Sequence, residues 1–443
     1  MDRRVDPRSD IFVAPKRNYG LHERMLGQSG PEILDGRGNP IWEHPLGRGR
    51  AATDFRVQSA YGQPVLTWWQ GVLTSHGIGH DGEDVVFNTS YQPVASVHAV
   101  NGYHADVHEF FITPRNTAYI VAWRVVRRHL SRFGGPRRGR VIDTAVQELD
   151  LQTNRLLWQW DPLEHGLLSE SRVPAPKTGT WNPFHVNSVD ENAAGNLLIS
   201  ARNTWAVYYV NRRTGDIIWR LGGKHSTFSV ERHARFAWQH DARFQPNHKI
   251  SVFDNEAAPQ EANRSRGLVL SLDVRHRRAK VAIQYTHPPP PLLAGSQGST
   301  QLLPNGQVFV GWGQLPYFSE FSRSGRLLFD GHFHRPDESY RAARYIWTGS
   351  PTYPPSIAVR AAGSHLTTVY ASWNGATRVA RWQVLAGPTS AAAVTPVGSP
   401  VARIGFETPI NAQNDGPWFA VQALDAYGNV LGTSPARERP HSG

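Results

Sequence analysis

Four hairpin-like segments of this sequence resemble one another, and they constrain the fold more than any other feature. Each has a strand-like run, a tight turn and a second strand-like run. Such turns need Gly, Asn or another residue that can adopt a positive φ. Because the same hairpin recurs, the fold is expected to repeat one unit. The four segments are LDLQTNRLLWQW (149–160), VNRRTGDIIWRL (210–221), LDVRHRRAKVAI (272–283) and FSRSGRLLFD (321–330).

Each hairpin follows another pair of short strand-like runs, so the repeated unit has four strands. Units of four strands that recur at roughly 45–60 residues are typical of β-propeller blades. The spacing predicts about six blades over residues 20–350. A stack of β-sandwiches is the alternative, and the similarity of the hairpins argues against it.

The composition supports an all-β chain. The 443 residues include 40 Gly, 32 Pro and 15 Trp, which favour short strands and tight turns over long helices. There are no cysteines, which excludes disulfides, thiol nucleophiles and zinc–thiolate sites. The net charge is +11, but the basic residues are scattered or lie between strand-like runs. No nucleic-acid-binding motif is present, so no nucleic-acid partner is predicted.

The chain is expected to contain two folded parts. Residues 1–19 are polar and basic, which predicts a flexible N-terminus, and residues 351–356 (PTYPPS) predict a Pro-rich linker. Residues 357–443 alternate apolar and polar residues, which predicts a small β-sandwich of the fibronectin type III or immunoglobulin type, with a polar tail. No apolar run is long enough to span a membrane, and the charged N-terminus shows no signal peptide.

Three histidines begin strand-like runs at the same phase of the repeat. They are His108 in DVHEFFITPRNTAYIVAW, His185 in HVNSVDENAAGNLLISAR and His240 in WQHDARFQPNHKISVFDN. Residues at the start of the innermost strand of each propeller blade collect at one mouth of the central channel. The three imidazoles are therefore predicted to converge in one site.

Three kinds of chemistry fit converging imidazoles. They can bind a metal, with Asp106 and Asp241 as further donors; they can act as general acids and bases; or one can act as a nucleophile. Asn187 lies two residues after His185, so alternation along a strand predicts that it shares that face. Arg202 ends the paired strand and is expected at the same edge. An arginine, an amide and an imidazole favour a clamp for sulfate or phosphate oxygens over a cation site.

The segment HVNSVD…GNLLISAR, followed by VNRRTGDIIWRLGG, WQHDAR and ISVFDN, resembles the arylsulfotransferase family of six-bladed propellers, in its large actinobacterial and fungal branch. That resemblance implies sulfuryl transfer from a phenolic sulfate ester to a phenol, without a nucleotide donor and through a sulfated histidine. By motif, His240 matches the nucleophile. His185, Asn187 and Arg202 match residues that bind the sulfuryl oxygens, and His108 matches a further active-site histidine.

The resemblance implies that neither a metal nor an organic cofactor is needed, and it suggests an extracellular or cell-envelope location. Two other readings of the residues stay open. The site of a non-catalytic propeller could bind a sulfated or phosphorylated ligand. The TGDIIW hairpin (214–219) is also similar to the repeat of pyrroloquinoline-quinone propellers, although those normally have eight blades and calcium-binding carboxylates.

Overall fold

A computed structural model shows a chain whose regular secondary structure is almost entirely β-strand, which confirms the all-β prediction. The structure describes residues 6, 9–18, 25, 27–74, 77–363, 365–414 and 416–440. No helix within these ranges is long and apolar enough to cross a bilayer. The helical elements of the described chain are the short 3-10 segments Ser131–Phe133, Leu167–Glu170, Arg202–Thr204 and Arg232–Ala234.

The first 26 strands occupy the region from Ser9 to Ile346. In chain order they are β1 (Ser9–Arg17), β2 (Glu32–Leu34), β3 (Pro40–Glu43), β4 (Ala51–Ala60), β5 (Gln63–Leu73), β6 (Gly79–Phe87), β7 (Pro93–Val97), β8 (His104–Ile112), β9 (Thr117–Arg128), β10 (Gly139–Asp150), β11 (Leu156–Trp160), β12 (Thr180–Trp181), β13 (Val186–Glu191), β14 (Leu197–Ala201), β15 (Ala206–Val210), β16 (Ile217–Gly222), β17 (Ser229–Val230), β18 (His240–Gln245), β19 (Lys249–Asp254), β20 (Arg266–Asp273), β21 (Arg278–Tyr285), β22 (Ser299–Leu302), β23 (Val308–Gly311), β24 (Tyr317–Phe321), β25 (Leu327–His332) and β26 (Asp337–Ile346).

These strands form six sheets. Five are antiparallel runs of consecutive strands: β4–β7, β8–β11, β13–β16, β18–β21 and β22–β25. The short strands β12 and β17 add to the second and fourth of these in parallel orientation. The sixth sheet joins the two ends of the region, because β26 pairs with β1 and the order continues through β2 to β3.

One edge strand of each sheet lies at the centre of the arrangement. It is the first strand of the sheet in the orders given above, which for the sixth sheet is β26. Strands β26, β4, β8, β13, β18 and β22 contact one another in a closed cycle. Side chains from different sheets that lie at the same end of these strands can therefore meet, although they are far apart in sequence.

The sheets bury apolar side chains on both faces. Successive side chains of a strand point to opposite faces, and β14 shows the result. Leu197 and Ile199 pack in a core shared with the sheet of β8–β11, whereas Leu198 packs in a core shared with the sheet of β18–β21. A similar apolar core fills the space between each pair of neighbouring sheets around the cycle. This explains why the strands read as nearly continuous apolar runs.

The repeated hairpins turn through left-handed residues, which are Gly or Asn, as predicted, in three hairpins and an arginine in the fourth. The residues concerned are Asn154 (φ 56°), Gly215 (φ 78°), Arg277 (φ 52°) and Gly325 (φ 88°).

The predicted flexible N-terminus over residues 1–19 is wrong for Ser9–Arg17, which is strand β1. Ile11, Phe12 and Val13 are completely buried and pair with Arg344, Ala343 and Ala342 of β26. The physical reason is the long-range pairing of β1 with β26, which joins the two ends of the region Ser9–Ile346 and which no local pattern reveals. Residues 1–5, 7–8 and 19 of the predicted segment lie outside the described residues.

The remaining strands form two sheets in the C-terminal region. One has the order β27–β28–β31, and the other has the order β30–β29–β32–β33 with β34 added at β32. The two sheets share one apolar core, which includes Trp373 and Trp382. The strands are β27 (Ser356–Ala361), β28 (Thr367–Ser372), β29 (Arg381–Gly387), β30 (Thr395–Ala402), β31 (Glu407–Ala412), β32 (Trp418–Leu424), β33 (Val430–Thr433) and β34 (Arg437–Glu438).

The predicted linker over residues 351–356 packs against the C-terminal sheets. The Tyr353 hydroxyl donates to the Asn374 carbonyl at 2.6 Å, and the Tyr353 carbonyl accepts from the Trp373 indole at 2.8 Å. Strand β27 already begins at Ser356, the last residue of the predicted linker.

Candidate active site

The structure brings His108, His185 and His240 together. The ring centroids of His108 and His185 are 4.6 Å apart, and each lies 6.4 Å from that of His240. One ring nitrogen of each histidine lies within 4.8 Å of the others. His108 lies in β8, His185 directly precedes β13, and His240 begins β18. The shared phase in the sequence therefore corresponds to a shared location.

His108 and His240 are oriented in the same way. The Nδ1 atom of His108 lies 2.7 Å from Asp106 Oδ2, and that of His240 lies 2.8 Å from Asn255 Oδ1. Because both partners are acceptor oxygens, each Nδ1 carries the proton and each neutral ring keeps the lone pair on Nε2. In His240 this lone pair accepts from the Gln297 backbone N–H at 3.3 Å. In the neutral form both rings therefore carry the unprotonated nitrogen at Nε2, and that of His240 must part from the Gln297 N–H before it can attack.

His185 has the opposite orientation. Its Nδ1 accepts a hydrogen bond from Asn182 Nδ2 at 3.0 Å. In the neutral ring the proton must then lie on Nε2, which becomes a hydrogen-bond donor. The site thus combines lone pairs on two rings with a donor on the third.

Desolvation keeps two of the imidazoles neutral, of which His240 is fully buried and His185 is partly buried. Desolvation, reinforced by Arg202, holds the pKa of His240 well below the ordinary 6.5. Desolvation likewise lowers the pKa of His185 well below that value, with further contributions from His108 and Arg202. A neutral imidazole is the form that can attack an electrophile.

Arg202 lies in the same cavity and is held in place by carbonyl groups. Its Nη2 donates to the Gly295 carbonyl at 2.9 Å and to the Ala258 carbonyl at 3.2 Å. Its Cζ lies 4.7 Å from the centre of the Trp238 ring, within range of a cation–π interaction. Burial lowers the pKa of Arg202 to about 10, so the side chain still carries its charge at neutral pH. Its Nε–H is buried and has no hydrogen-bond partner among the described residues, which leaves a donor for a ligand.

Asn187 does not line this cavity, in contrast to its predicted place beside His185. Its side chain is fully buried, and its Nδ2 donates to the Gln239 carbonyl at 2.7 Å. The expected alternation fails because His185 has a left-handed φ of 54° and the pairing of β13 with β14 shifts between Val186 and Ser188. Asn187 instead fastens β13 to the residue that precedes His240.

The carboxylates Asp106 and Asp241, the further metal donors that the sequence offers, are both bound to other groups of the protein. Asp106 lies behind His108, and its Oδ1 accepts from the Val107 and Gly79 backbone N–H groups. Asp241 faces a different cavity, where it binds Arg243 and the Thr300 backbone N–H.

The cavity that holds the histidines has a volume of about 560 Å³, within the usual range for small-molecule sites. One wall is apolar and includes Val173, Pro174 and Trp181. Another part is polar and includes Lys16 and Glu338. An apolar wall beside cationic and imidazole groups suits a ligand with an aromatic ring and an anionic group.

Sequence reasoning did not single out Asn255, although a signal was available. Asn255 follows the second strand of its unit, just as Arg202 follows the second strand of the preceding unit. Like Arg202, Asn255 ends an antiparallel strand pair that begins at a site histidine, so its position in the sequence predicts a place at the edge where the histidines lie. Lys16, Asn182, Gln297 and Tyr340 were also missed, and each comes from a loop or from the chain-end sheet.

The family model "Arylsulfotransferase (ASST)" matches residues 56–334, which is more than half of the chain. The chain therefore belongs to the arylsulfotransferase family. Membership indicates a sulfotransferase-like enzyme that acts on small aryl molecules. None of the curated proteins matches the chain.

Several solved structures are similar to this chain at low identity. A protein of unknown function from Bacteroides caccae is 11% identical, covers 76% of this chain and 98% of its own, and has a TM-score of 0.45. A catalytically inactive virginiamycin B lyase from Staphylococcus aureus with quinupristin is 6% identical, with coverages of 85% and 95% and a TM-score of 0.37. Regucalcin from Agrobacterium tumefaciens is 14% identical, with coverages of 74% and 83% and a TM-score of 0.33.

Proposed function

We propose that the chain transfers a sulfuryl group from a phenolic sulfate ester to a phenolic acceptor, in two steps through a histidine sulfated on Nε2 of His240. The observation that carries this proposal is the orientation of the ring. Asn255 holds the proton on Nδ1 of His240, so Nε2 offers a lone pair in a cavity that also contains His185 and Arg202. Family membership supplies the aryl sulfate as the substrate class.

In the first half-reaction, Nε2 of His240 attacks sulfur as the bond between sulfur and the aryl oxygen breaks. The electron pair of that bond leaves on the aryl oxygen. Arg202 and the Nε2–H of His185 face the charge that spreads over the sulfuryl oxygens, and preorganised donors of this kind lower the barrier. The backbone N–H of Gln297, 3.3 Å from Nε2, is a further donor for these oxygens.

In the second half-reaction, the acceptor oxygen attacks sulfur and the electron pair of the N–S bond returns to Nε2. The histidine is thereby restored. The contact between Nδ1 and Asp106 leaves the lone pair of a neutral His108 ring on Nε2 as well, so the geometry offers two possible nucleophiles. The match of WQHDAR to the family motif favours His240.

We also propose that the six sheets form a six-bladed β-propeller and that the C-terminal sheets form a fibronectin type III-like module. The closed cycle of first strands and the apolar cores between neighbouring sheets support the propeller. The shared core of the two C-terminal sheets supports the sandwich. Relative to the domain boundaries expected from the sequence, the propeller begins at Ser9 rather than at residue 20.

The test is a single-turnover reaction with 4-nitrophenyl sulfate, followed by intact-mass and peptide mass spectrometry. The wild-type protein should release 4-nitrophenol and gain one sulfuryl group on His240. His240→Ala should abolish both signals, whereas His276→Ala, which removes an exposed imidazole, should abolish neither. Phenol release that survives in His240→Ala but is lost in His108→Ala would move the nucleophile to His108. If aryl sulfates bind but none of them yields a phenol or an adduct, the result supports the alternative hypothesis of a non-catalytic propeller that binds a sulfated ligand.

A second candidate is a transition-metal centre, because the three histidines offer ring nitrogens within 4.8 Å of one another. The contact from Asn182 disfavours it, since that contact directs the lone pair of His185 away from the other rings. A metal would occupy the same Nε2 atom that attacks sulfur. Zinc ions should therefore inhibit a transferase that is fully active in EDTA. Activity that is lost in EDTA and restored by a metal would support the metal centre instead.

A further inference from the structure

Lys16 and Glu338 form a buried ion pair in the polar part of the active-site cavity. They lie directly opposite each other in the register of β1 and β26, and Lys16 Nζ donates to Glu338 Oε1. Lys16 is 4% exposed and Glu338 is 2% exposed. Buried charges are costly even when they are paired, so a pair at this position calls for a role. The binding of the sulfuryl group described above makes no use of it.

Gln297 connects this pair to His240. Its side-chain Nε2 donates to Glu338 Oε1 at 2.8 Å, and its backbone N–H donates to His240 Nε2 at 3.3 Å. The backbone carbonyl of the same residue accepts from Asn255, which orients the histidine. A single residue, Gln297, therefore links the ion pair to the nitrogen that would carry the sulfuryl group.

The cluster also contains acceptor atoms without partners. Glu338 Oε2 and Gln297 Oε1 are buried, and neither has a hydrogen-bond partner among the described residues. A buried acceptor that is left unpaired costs roughly 1–3 kcal/mol. Because both atoms belong to residues that line the cavity, a ligand that brings a hydroxyl group can donate its one hydrogen bond to either of them.

The proposed sulfuryl transfer requires a group of the protein that can give a proton and take one back. A phenolate leaves in the first half-reaction and a phenol enters in the second, so one group must give a proton and then take one back. Tyr340 is unsuited to this task, because burial raises its pKa well above the ordinary value and its hydroxyl points to the Asn187 carbonyl. The only ring proton of a neutral His185 is assigned by the proposed function to the sulfuryl oxygens.

We infer that Lys16 is the proton-transfer group of this enzyme and that Lys16, Glu338 and Gln297 form the subsite for the phenolic oxygen. This inference rests on the proposed sulfuryl transfer. Lys16 contacts the reacting oxygen and is a catalytic residue, whereas Glu338 is a positioning residue that holds the amine beside the leaving group.

The proton balance closes without a further reactant. As the sulfur–oxygen bond breaks, the Lys16 ammonium gives a proton to the departing aryl oxygen and becomes a neutral amine. The acceptor phenol then gives its proton to that amine as its oxygen attacks sulfur. After one full cycle Lys16 is an ammonium again and His240 is free.

The test compares donors whose leaving groups need a proton to different extents. A general acid contributes on the order of 10²–10⁴ in rate, but 4-nitrophenolate is stable enough to leave without one. Lys16→Met should therefore form the sulfated enzyme about 10-fold more slowly, or less, with 4-nitrophenyl sulfate and at least about 100-fold more slowly with phenyl sulfate. Lys16→Arg keeps the charge but cannot release a proton, so it should show the same dependence on the donor. Lys280→Met removes an exposed lysine and should match the wild type with both donors.

The results separate this inference from the proposed function. An inactive wild-type protein, or phenol release that survives in His240→Ala, overturns the proposed function together with the inference. An active wild type in which both Lys16 variants lose the same factor with both donors overturns the inference alone. Recovery of the phenyl sulfate reaction by Lys16→Arg also overturns it, because a charge would then suffice. If Lys16→Met fails to fold, as judged by circular dichroism, Lys16→Arg with its retained ion pair decides the question.

Discussion

Two of the cavities that border the cycle of first strands treat buried polar groups in opposite ways. The first contains the histidines, whose Nε2 atoms are available for chemistry. The second, of about 220 Å³, is bordered by charged groups that are tied to one another. In three of the first strands, one residue lines the histidine cavity and the next residue belongs to the paired charges. These neighbours are His108 and Glu109 in β8, His240 and Asp241 in β18, and Tyr340 and Arg341 in β26.

Glu109 lies at the centre of these paired charges, which are called the charged cluster below. Its carboxylate binds Arg56, Arg243 and Arg341, which come from three different sheets. Burial alone would raise the pKa of Glu109, but Arg243, Arg341 and Arg56 together hold it well below its ordinary value. Here the charges satisfy one another and tie the first strands together. In the histidine cavity the polar groups are oriented but left open to a ligand.

The largest expected effect comes from breaking the charged cluster. Glu109→Gln removes the carboxylate that compensates three buried arginines, and breaking a buried ion pair on one side typically costs about 3–5 kcal/mol. The free energy of unfolding, measured with urea, should fall by about this amount. His240→Ala leaves Asn255 Oδ1 and the Gln297 backbone N–H without this partner, so it should lower the free energy of unfolding by about 1–3 kcal/mol while it abolishes turnover.

The matched control for Glu109→Gln is Glu164→Gln. Glu164 pairs with Arg128 at 3.5 Å, and its side chain is 69% exposed. An exposed pair contributes less than about 1 kcal/mol. Equal effects of the two substitutions would show that the cluster around Glu109 is not what ties the strands together.

The parts of this architecture that depend on local sequence could be predicted. The turn residues Asn154, Gly215 and Gly325 identified the repeated hairpins because a positive φ limits which residues fit. The three histidines occupy equivalent positions in their repeated units. Equivalent positions of a repeat lie at the same end of the structure, so the histidines could be predicted to lie together.

The parts that depend on long-range closure could not be predicted. Lys16 lies in a polar N-terminal segment whose pairing partner, β26, is more than 300 residues away. Asn187 was misplaced because the alternation rule assumes a regular strand, whereas the left-handed φ of His185 breaks it. Both errors concern residues whose surroundings are set by other sheets.

A substitution of Asn187 should have an effect of intermediate size on the free energy of unfolding. It also tests whether Asn187 acts in the histidine cavity or only in the packing between sheets. Asn187→Ala leaves the Gln239 carbonyl without this buried donor, which should lower the free energy of unfolding by about 2 kcal/mol. Because Asn187 does not line the cavity, kcat/KM for 4-nitrophenyl sulfate should fall by less than about 10-fold. Asn305→Ala, in an exposed turn, should change neither quantity. A large loss of kcat/KM at unchanged stability would instead place Asn187 in the sulfuryl clamp expected from the sequence.

The smallest expected effect is a pH dependence that separates the two cavities. His185 and His240 have a pKa well below 6.5 in the folded protein because they are desolvated, with Arg202 adding to the effect. The unfolded chain therefore binds more protons than the native state as the pH falls through 6.5, and stability falls with it. Each histidine should cost about 1 kcal/mol between pH 7 and pH 5.5.

The measurement is urea unfolding of the wild type and His185→Gln at both pH values. The variant should lose about 1 kcal/mol less than the wild type over this interval, because its glutamine does not titrate. Glu109 should contribute nothing there, since its arginines hold its pKa far below this range and it stays ionised at both values. An equal loss in both proteins would mean that His185 takes up a proton as readily in the fold as in the unfolded chain. The imidazoles would then be solvated like surface groups, and the contrast between an open, neutral histidine cavity and a closed, charged cluster would fail on its electrostatic side.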